Sequence, residues 1–143
     1  MIVLDTNVLS ELMRPKPDRT VVAWVSARPT VSLFTTSITQ AEVLHGIMLL
    51  PAGRRRSGLQ SAAEVMFGED FAGRVLGFGH DAALPYAEIA SERRRAGRPI
   101  SHFDAQIAAI TRACGARLAT RNVADFDGCG IDVLDPWGRA VTV

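Results

Sequence analysis

The chain opens on an unbroken apolar run, Met1-Ile2-Val3-Leu4, which ends abruptly on Asp5, Thr6 and Asn7. A run this short without polar interruption fits a strand buried on both faces. Asp5, Thr6 and Asn7 are helix-capping residue types, and Val8, Leu9, Leu12 and Met13 then resume at helical spacing. Asp5 is therefore expected where a buried strand hands over to a helix. Related couplets recur. Residues 31–34 read as a second strand, followed by the cap-rich Thr35, Thr36, Ser37 and Thr39 and a helix over 37–50. Further strands are expected over 74–78, 117–120 and 131–134. Helices are expected over 19–27, 54–66, 81–96 and 101–114, with a short helical turn over 122–126. The 101–114 helix has the strongest pattern, with Phe103, Ile107, Ala108 and Ile110 expected inside and Gly115 as its stop.

Strands alternating with helices imply an α/β fold: a central parallel sheet of four to five strands with helices on both faces. With no repeat, low-complexity stretch or linker, the 143 residues read as one domain, 1–143, with Asp135-Pro136-Trp137 closing the ordered part. In such sheets ligands bind in the crevice beyond the carboxyl ends of the strands. Asp5 is placed for that role, although capping the helix would account for it equally well.

Composition narrows the function classes. Hydrophobic residues at 48% and charged residues at 22% describe a globular chain rather than a disordered one. Asp5 and Glu11 interrupt the apolar start and no basic segment precedes it, so no signal peptide is expected. No apolar run reaches the roughly 18 residues of a membrane span. The chain is expected in the cytoplasm, with no membrane partner. Cys114 and Cys129 lack metal-ligand spacing and read as free thiols, while His45, His80 and His102 are dispersed. A formal net charge of +1 exerts no global pull on nucleic acid. The clusters Arg54-Arg55-Arg56 and Arg93-Arg94-Arg95 with Arg98 suit phosphate contact, but they read first as solvated helix faces.

Three acids stand among apolar neighbours. Glu42 shares a helix face with Ile38, Asp104 shares one with Ile100, Ile107 and Ala108, and Asp5 follows the first strand directly. Capping boxes at Thr39–Glu42 and Ser101–Asp104, and a looser one at Asn122–Asp125, would explain each acid singly. They leave the joint placement unexplained, because Asp5, Glu42 and Asn122 each follow a predicted strand at a helix start. Carboxylates gathered in a half-buried crevice repel by about 4 kcal/mol per pair at 4 Å for an effective dielectric near 20, so they hold protons or a cation. An all-oxygen set favours Mg2+ or Mn2+. Without a nucleotide-binding glycine motif, the chemistry such an ion suits is phosphodiester hydrolysis by activated water.

Four blocks then carry a resemblance: Asp5-Thr6-Asn7-Val8-Leu9-Ser10-Glu11-Leu12; Glu42 in a Ser/Thr-rich helix start; Ile100-Ser101 through Asp104-Ala105-Gln106-Ile107-Ala108-Ala109; and Thr120-Arg121-Asn122-Val123-Ala124-Asp125-Phe126. The chain resembles the PIN-domain ribonucleases, specifically the VapC-type toxins and their FitB-like relatives. The resemblance implies metal-binding carboxylates at Asp5 and Asp104 and a central acid at Glu42 that helps hold the ion and orients or deprotonates water. Thr6, Asn7 and Thr120 would support them. The family often carries a fourth acid where this chain has Asn122, and Asp125 is the neighbour able to supply that charge. The resemblance further implies Mg2+-dependent cleavage of RNA, a homodimer, and inhibition by a cognate antitoxin. Two rival readings are a catalytically weak or inactive module acting through protein binding, and an aspartyl-phosphate enzyme with Asp5 as nucleophile. The latter lacks the adjacent second acid and the supporting lysine, since the only lysine, Lys16, stands among prolines.

Overall fold

The computed structural model describes residues 1–138. Five short strands form one parallel sheet: β1 (Ile2–Leu4), β2 (Leu33–Thr36), β3 (Val75–Leu76), β4 (Arg117–Ala119) and β5 (Val133–Leu134). Their spatial order is β3-β2-β1-β4-β5, with every neighbouring pair parallel. Six α-helices accompany them among the described residues: α1 (Thr6–Leu12), α2 (Arg19–Ser26), α3 (Ser37–Met48), α4 (Arg54–Val65), α5 (Ala83–Arg95) and α6 (His102–Ala113). The expected α/β fold is therefore present, with five strands. The expected domain boundary at Val143 lies outside the described residues.

Strand alternation divides the core. Ile2 and Leu4 on β1 pack with Val8, Leu9, Val21, Val43, Ile47 and Phe67 on one face of the sheet. Val3, between them, packs with Ile89, Ile107, Ala108, Ile110, Leu118 and Phe126 on the other. Both faces are thus covered, which explains why β1 lacks any polar alternation. Left-handed glycines end two helices where the sequence places them, Gly97 at φ +73° after α5 and Gly115 at φ +62° after α6.

Several boundaries differ from expectation for physical reasons. The second strand runs over Leu33–Thr36, two residues later than the pattern suggests, and Val31 is 78% exposed on a 3-10 turn. Thr35 and Thr36 are β-branched and sit fully buried in the strand, and Thr36, its last residue, also caps the helix that follows. Phe103 is 54% exposed rather than internal. It occupies the first turn of α6, where side chains lean back toward the helix start and beyond the residues that the sheet covers. The expected helix at 122–126 is a 3-10 turn over Val123–Phe126, and the fourth helix ends in a π turn over Met66–Asp70.

Candidate active site

The sheet order places β1 at the centre. The chain leaves it toward β2 and β3 on one side and returns to β4 and β5 on the other, so the connections diverge between the carboxyl ends of β1 and β4. That divergence is where open parallel sheets form their ligand crevice. Asp5 follows β1 and Thr120 follows β4, and the backbone is zipped there by Asp5 N–H donating to the Ala119 carbonyl at 2.9 Å.

Asp5 is 4% exposed and does two jobs. Its Oδ1 accepts from the Thr6 N–H at 2.8 Å, which is the capping role. Its Oδ2 accepts from the Thr120 hydroxyl at 2.8 Å, across the sheet. Thr120 Oγ1 in turn accepts from Asn7 Nδ2 at 3.1 Å and from the Asn122 N–H at 3.2 Å, while Asn7 Oδ1 accepts from the Arg121 N–H at 3.1 Å. One donated and two accepted bonds saturate that hydroxyl, so the partner at position 5 must be an acceptor. Thr6, Asn7 and Thr120 thus buttress Asp5.

Glu42 comes from the second turn of α3, not from its opening. The cap of α3 is Thr36, whose hydroxyl accepts from the Thr39 N–H at 3.0 Å, so the expected Thr39–Glu42 capping box does not form. This frees Glu42 for another partner: Thr6 Oγ1 lies 2.9 Å from Glu42 Oε1 and 3.1 Å from Thr39 Oγ1. A carboxylate only accepts, so the Thr6 proton goes to Glu42 and the Thr39 hydroxyl donates to Thr6. Asp104 occupies the first turn of α6, where the expected Ser101 cap does form, Ser101 Oγ accepting from the Asp104 N–H at 3.2 Å.

The three acids share one electrostatic environment. Burial, the largest cause, together with the charges of Asp104 and Glu42, raises Asp5 to about 6 against the hydrogen bonds of Thr120 and Thr6. Glu42 is raised by burial and then by Asp104, against its bond from Thr6. Asp104 is raised by burial and by Asp125, and lowered by its bond with Ser101 and by the nearby Arg93. The carboxylates are not, however, drawn into a closed ligand set. Among the described residues no three Asp, Glu, His or Cys side chains converge into a group able to hold an ion as they stand. Asp5 is tied instead to the Thr120 hydroxyl and the Thr6 N–H, and Glu42 to the Thr6 hydroxyl, while Asp104 is held through its backbone N–H by Ser101 Oγ. Asn122 and Asp125 flank the site on the 3-10 turn, both exposed. The Asn122 side chain caps nothing there.

Two neighbours of the site escaped the sequence reading. Thr39 was assigned to a cap, although its position three residues before Glu42 places both on one helix face. Arg93 was read as part of a solvated run. It is 8% exposed, on the buried face that already carries Ile89 four residues earlier. That spacing was the available signal. Cys114 and Cys129 are free thiols, as expected.

A parallel sheet with half-buried acids gathered from three elements at its point of divergence defines a class of α/β domain built around an anionic crevice. Residues 2–127 match the family model of the PIN domain, and the chain belongs to that family. It is 42% identical to VapC ribonuclease Y4jK of Sinorhizobium fredii over 98% of this chain and 100% of the relative. It is 36% identical to toxin FitB of Neisseria gonorrhoeae over 96% of this chain and 99% of the relative. A solved structure of FitAB bound to the IR36 DNA fragment superposes with a TM-score of 0.93 at 35% identity, covering 100% of both chains. The resemblance drawn from the four sequence blocks is borne out over nearly the whole chain.

Proposed function

We propose that this protein is a divalent-metal-dependent endoribonuclease of a toxin–antitoxin pair, acting on RNA in the cytoplasm and restrained by a cognate antitoxin. The observation that carries the reading is the placement of Asp5, Glu42 and Asp104 about the β1/β4 divergence, where burial raises all three and the Asp104 charge adds to the rise of Asp5 and Glu42. The donor set is all oxygen and of like charge, which fits Mg2+ or Mn2+. Such ions are commonly held by one or two carboxylates, with water or phosphate oxygens completing the shell, so a closed cage of three acids is not required. Asp5 and Asp104 are the residues assigned to hold it, with Glu42 assisting. When bound, such an ion activates water for attack and offsets charge on the scissile phosphate.

The chain's own groups supply the rest. Thr120 and the Thr6 N–H fix both oxygens of Asp5. The Thr39–Thr6 hydroxyl chain fixes Glu42 Oε1, leaving Oε2 as the atom we assign to orient the attacking water and accept its proton. Burial keeps that carboxyl more basic than in water, which suits a general base. Asn122 offers an amide where the family often carries an acid, and Asp125 supplies negative charge beside Asp104.

An apolar groove of about 650 Å³ adjoins the site, with Thr6 and Glu42 in its wall, Val43, Ile47, Leu50 and Leu59 among its lining, and Arg54 and Arg55 beside them. It is the surface we assign to the antitoxin, a reading supported by relatives named as toxins and by neighbours solved as toxin–antitoxin complexes. The homodimer is part of the same proposal, and sedimentation of the purified chain tests it.

The deciding experiment incubates the purified protein with RNA and Mg2+. Cleavage that is abolished by EDTA, by Asp5→Ala and by Asp104→Asn, and that leaves 5′-phosphate ends, is the expected result. Cyclic phosphate ends would mark attack by the RNA 2′-hydroxyl and overturn the mechanism. Absence of cleavage by the folded wild type would leave the protein-binding module, a reading favoured by the amide at Asn122.

A further inference from the structure

Arg93 makes no ion pair among the described residues, yet it is almost fully buried. Its guanidinium is surrounded by backbone carbonyls. Nε donates to Arg98 O at 2.7 Å, and Nη1 donates to Asp125 O at 2.8 Å and to Asp127 O at 3.0 Å. Cys129 Sγ lies 3.8 Å from the same nitrogen, and a side chain at Gly128 would meet the arginine stem. The segment 122–130 therefore wraps over one side chain projecting from the last turn of α5. Phe126 and Cys129 anchor this segment in the core, and Arg98 reaches Asp127 from outside, but its regular structure is a single 3-10 turn. A buried cation met by carbonyls and a thiol, with no carboxylate in ion-pair range among the described residues, is expensive in desolvation.

What it enforces is a spacing. Arg98 lies in the lead-in to α6, which carries Asp104, while Asp125 belongs to the turn carrying Asn122. A planar fork reaching all three carbonyls fixes the α6 lead-in relative to that turn. We propose that Arg93 is a positioning residue of the crevice, holding Asn122 and Asp125 against the Asp104 side of the site. The proposal rests on the nuclease reading for its catalytic consequence, and on the fork geometry alone for its structural one. Lysine retains the charge but has a single nitrogen, which is unable to span carbonyls reached here from both Nε and Nη1. Being buried, Arg93 does not touch RNA, so its loss acts on turnover rather than on substrate affinity.

The test compares wild type with Arg93→Lys and Arg93→Met by amide hydrogen exchange and by RNA cleavage in Mg2+. Expected are faster exchange confined to residues 122–130, a fall in kcat of about tenfold or more, and KM within about twofold of wild type, in both variants. Unchanged kcat, or a raised KM with kcat intact, would overturn the positioning role. Exchange that quickens equally in β1 and β4 would also overturn it, by showing a general structural role. Should the wild type itself fail to cleave RNA, the nuclease reading falls. The exchange measurement then decides the inference alone: loosening confined to 122–130 supports it and unaltered protection there refutes it.

Discussion

Thr120 is the residue on which the site's geometry turns. Its buried hydroxyl serves Asp5, Asn7 and the Asn122 N–H at once. Thr120→Val preserves shape and removes all three bonds, leaving a buried carboxylate short of a donor. A loss of about 1–3 kcal/mol at neutral pH is expected from the desolvation penalty of an unsatisfied buried group, read from urea unfolding midpoints. Asp5 makes a second prediction. Its carboxyl titrates at about 6 in the fold against 3.8 outside it. Between those values the folded chain keeps a proton that the unfolded chain has released, so this group's contribution to stability falls as pH rises through that window. A shift of this size corresponds to on the order of 3 kcal/mol. In EDTA, Asp5→Asn should therefore gain stability relative to wild type on going from pH 4 to pH 7, measured as the difference between the two unfolding curves. A constant difference across that range would contradict the burial of an ionisable group at this position.

At the scale of elements, α6 is the helix most visible in sequence, and its start sets two effects against each other. Asp104 lies in the first turn, where the helix dipole favours a negative charge by about 0.3–1 kcal/mol. Its carboxyl is nevertheless raised, with burial as the largest cause, so the surroundings as a whole disfavour the ionised form. Asp104→Asn should accordingly keep or raise the melting temperature of the metal-free protein, and a clear loss would show that capping dominates. The same helix shows where pattern reading works and where it stops. Ser101, Asp104 and Gly115 carry local chemistry, and each sits where the sequence places it. Phe103 carries only apolarity, and whether an apolar residue is covered depends on how far the sheet extends beneath it. For α3 the ambiguity was one of register, since four capping-type residues precede Glu42 and the buried Thr35 and Thr36 belong to β2. Arg93 is hidden in the sequence because its charge, within a run of three arginines, masks the four-residue spacing from Ile89 that places it on the buried face. Asp5, Thr6, Asn7 and Thr120 were found because a parallel sheet brings its strand ends together whatever the loop lengths.

Across the whole molecule, the crevice is assembled from both flanks of the sheet. Asp5 and Glu42 arrive on β1 and α3, whereas Asp104, Thr120, Asn122 and Asp125 arrive on α6, β4 and the turn that follows. Unfolding either flank dismantles the acid set, so a divalent ion held, as proposed, by Asp5 and Asp104 would bind the native chain and have no equivalent site on the unfolded one. Linkage then requires such an ion to stabilise the fold globally, by about 2.7 kcal/mol at a hundredfold excess over its dissociation constant. For a domain of 143 residues each kcal/mol is worth roughly 2–4 °C, which makes the effect visible in a thermal melt. The expected outcome is a melting temperature that climbs with Mg2+ or Mn2+, is returned to its starting value by EDTA, and responds far less in Asp104→Asn. If that variant begins above the wild-type temperature without metal, the two curves should converge or cross as the ion is added, and if it begins level they should separate. Parallel curves, with an equal gain in both proteins, would place the stabilising ion elsewhere on the surface and remove Asp104 from the metal site.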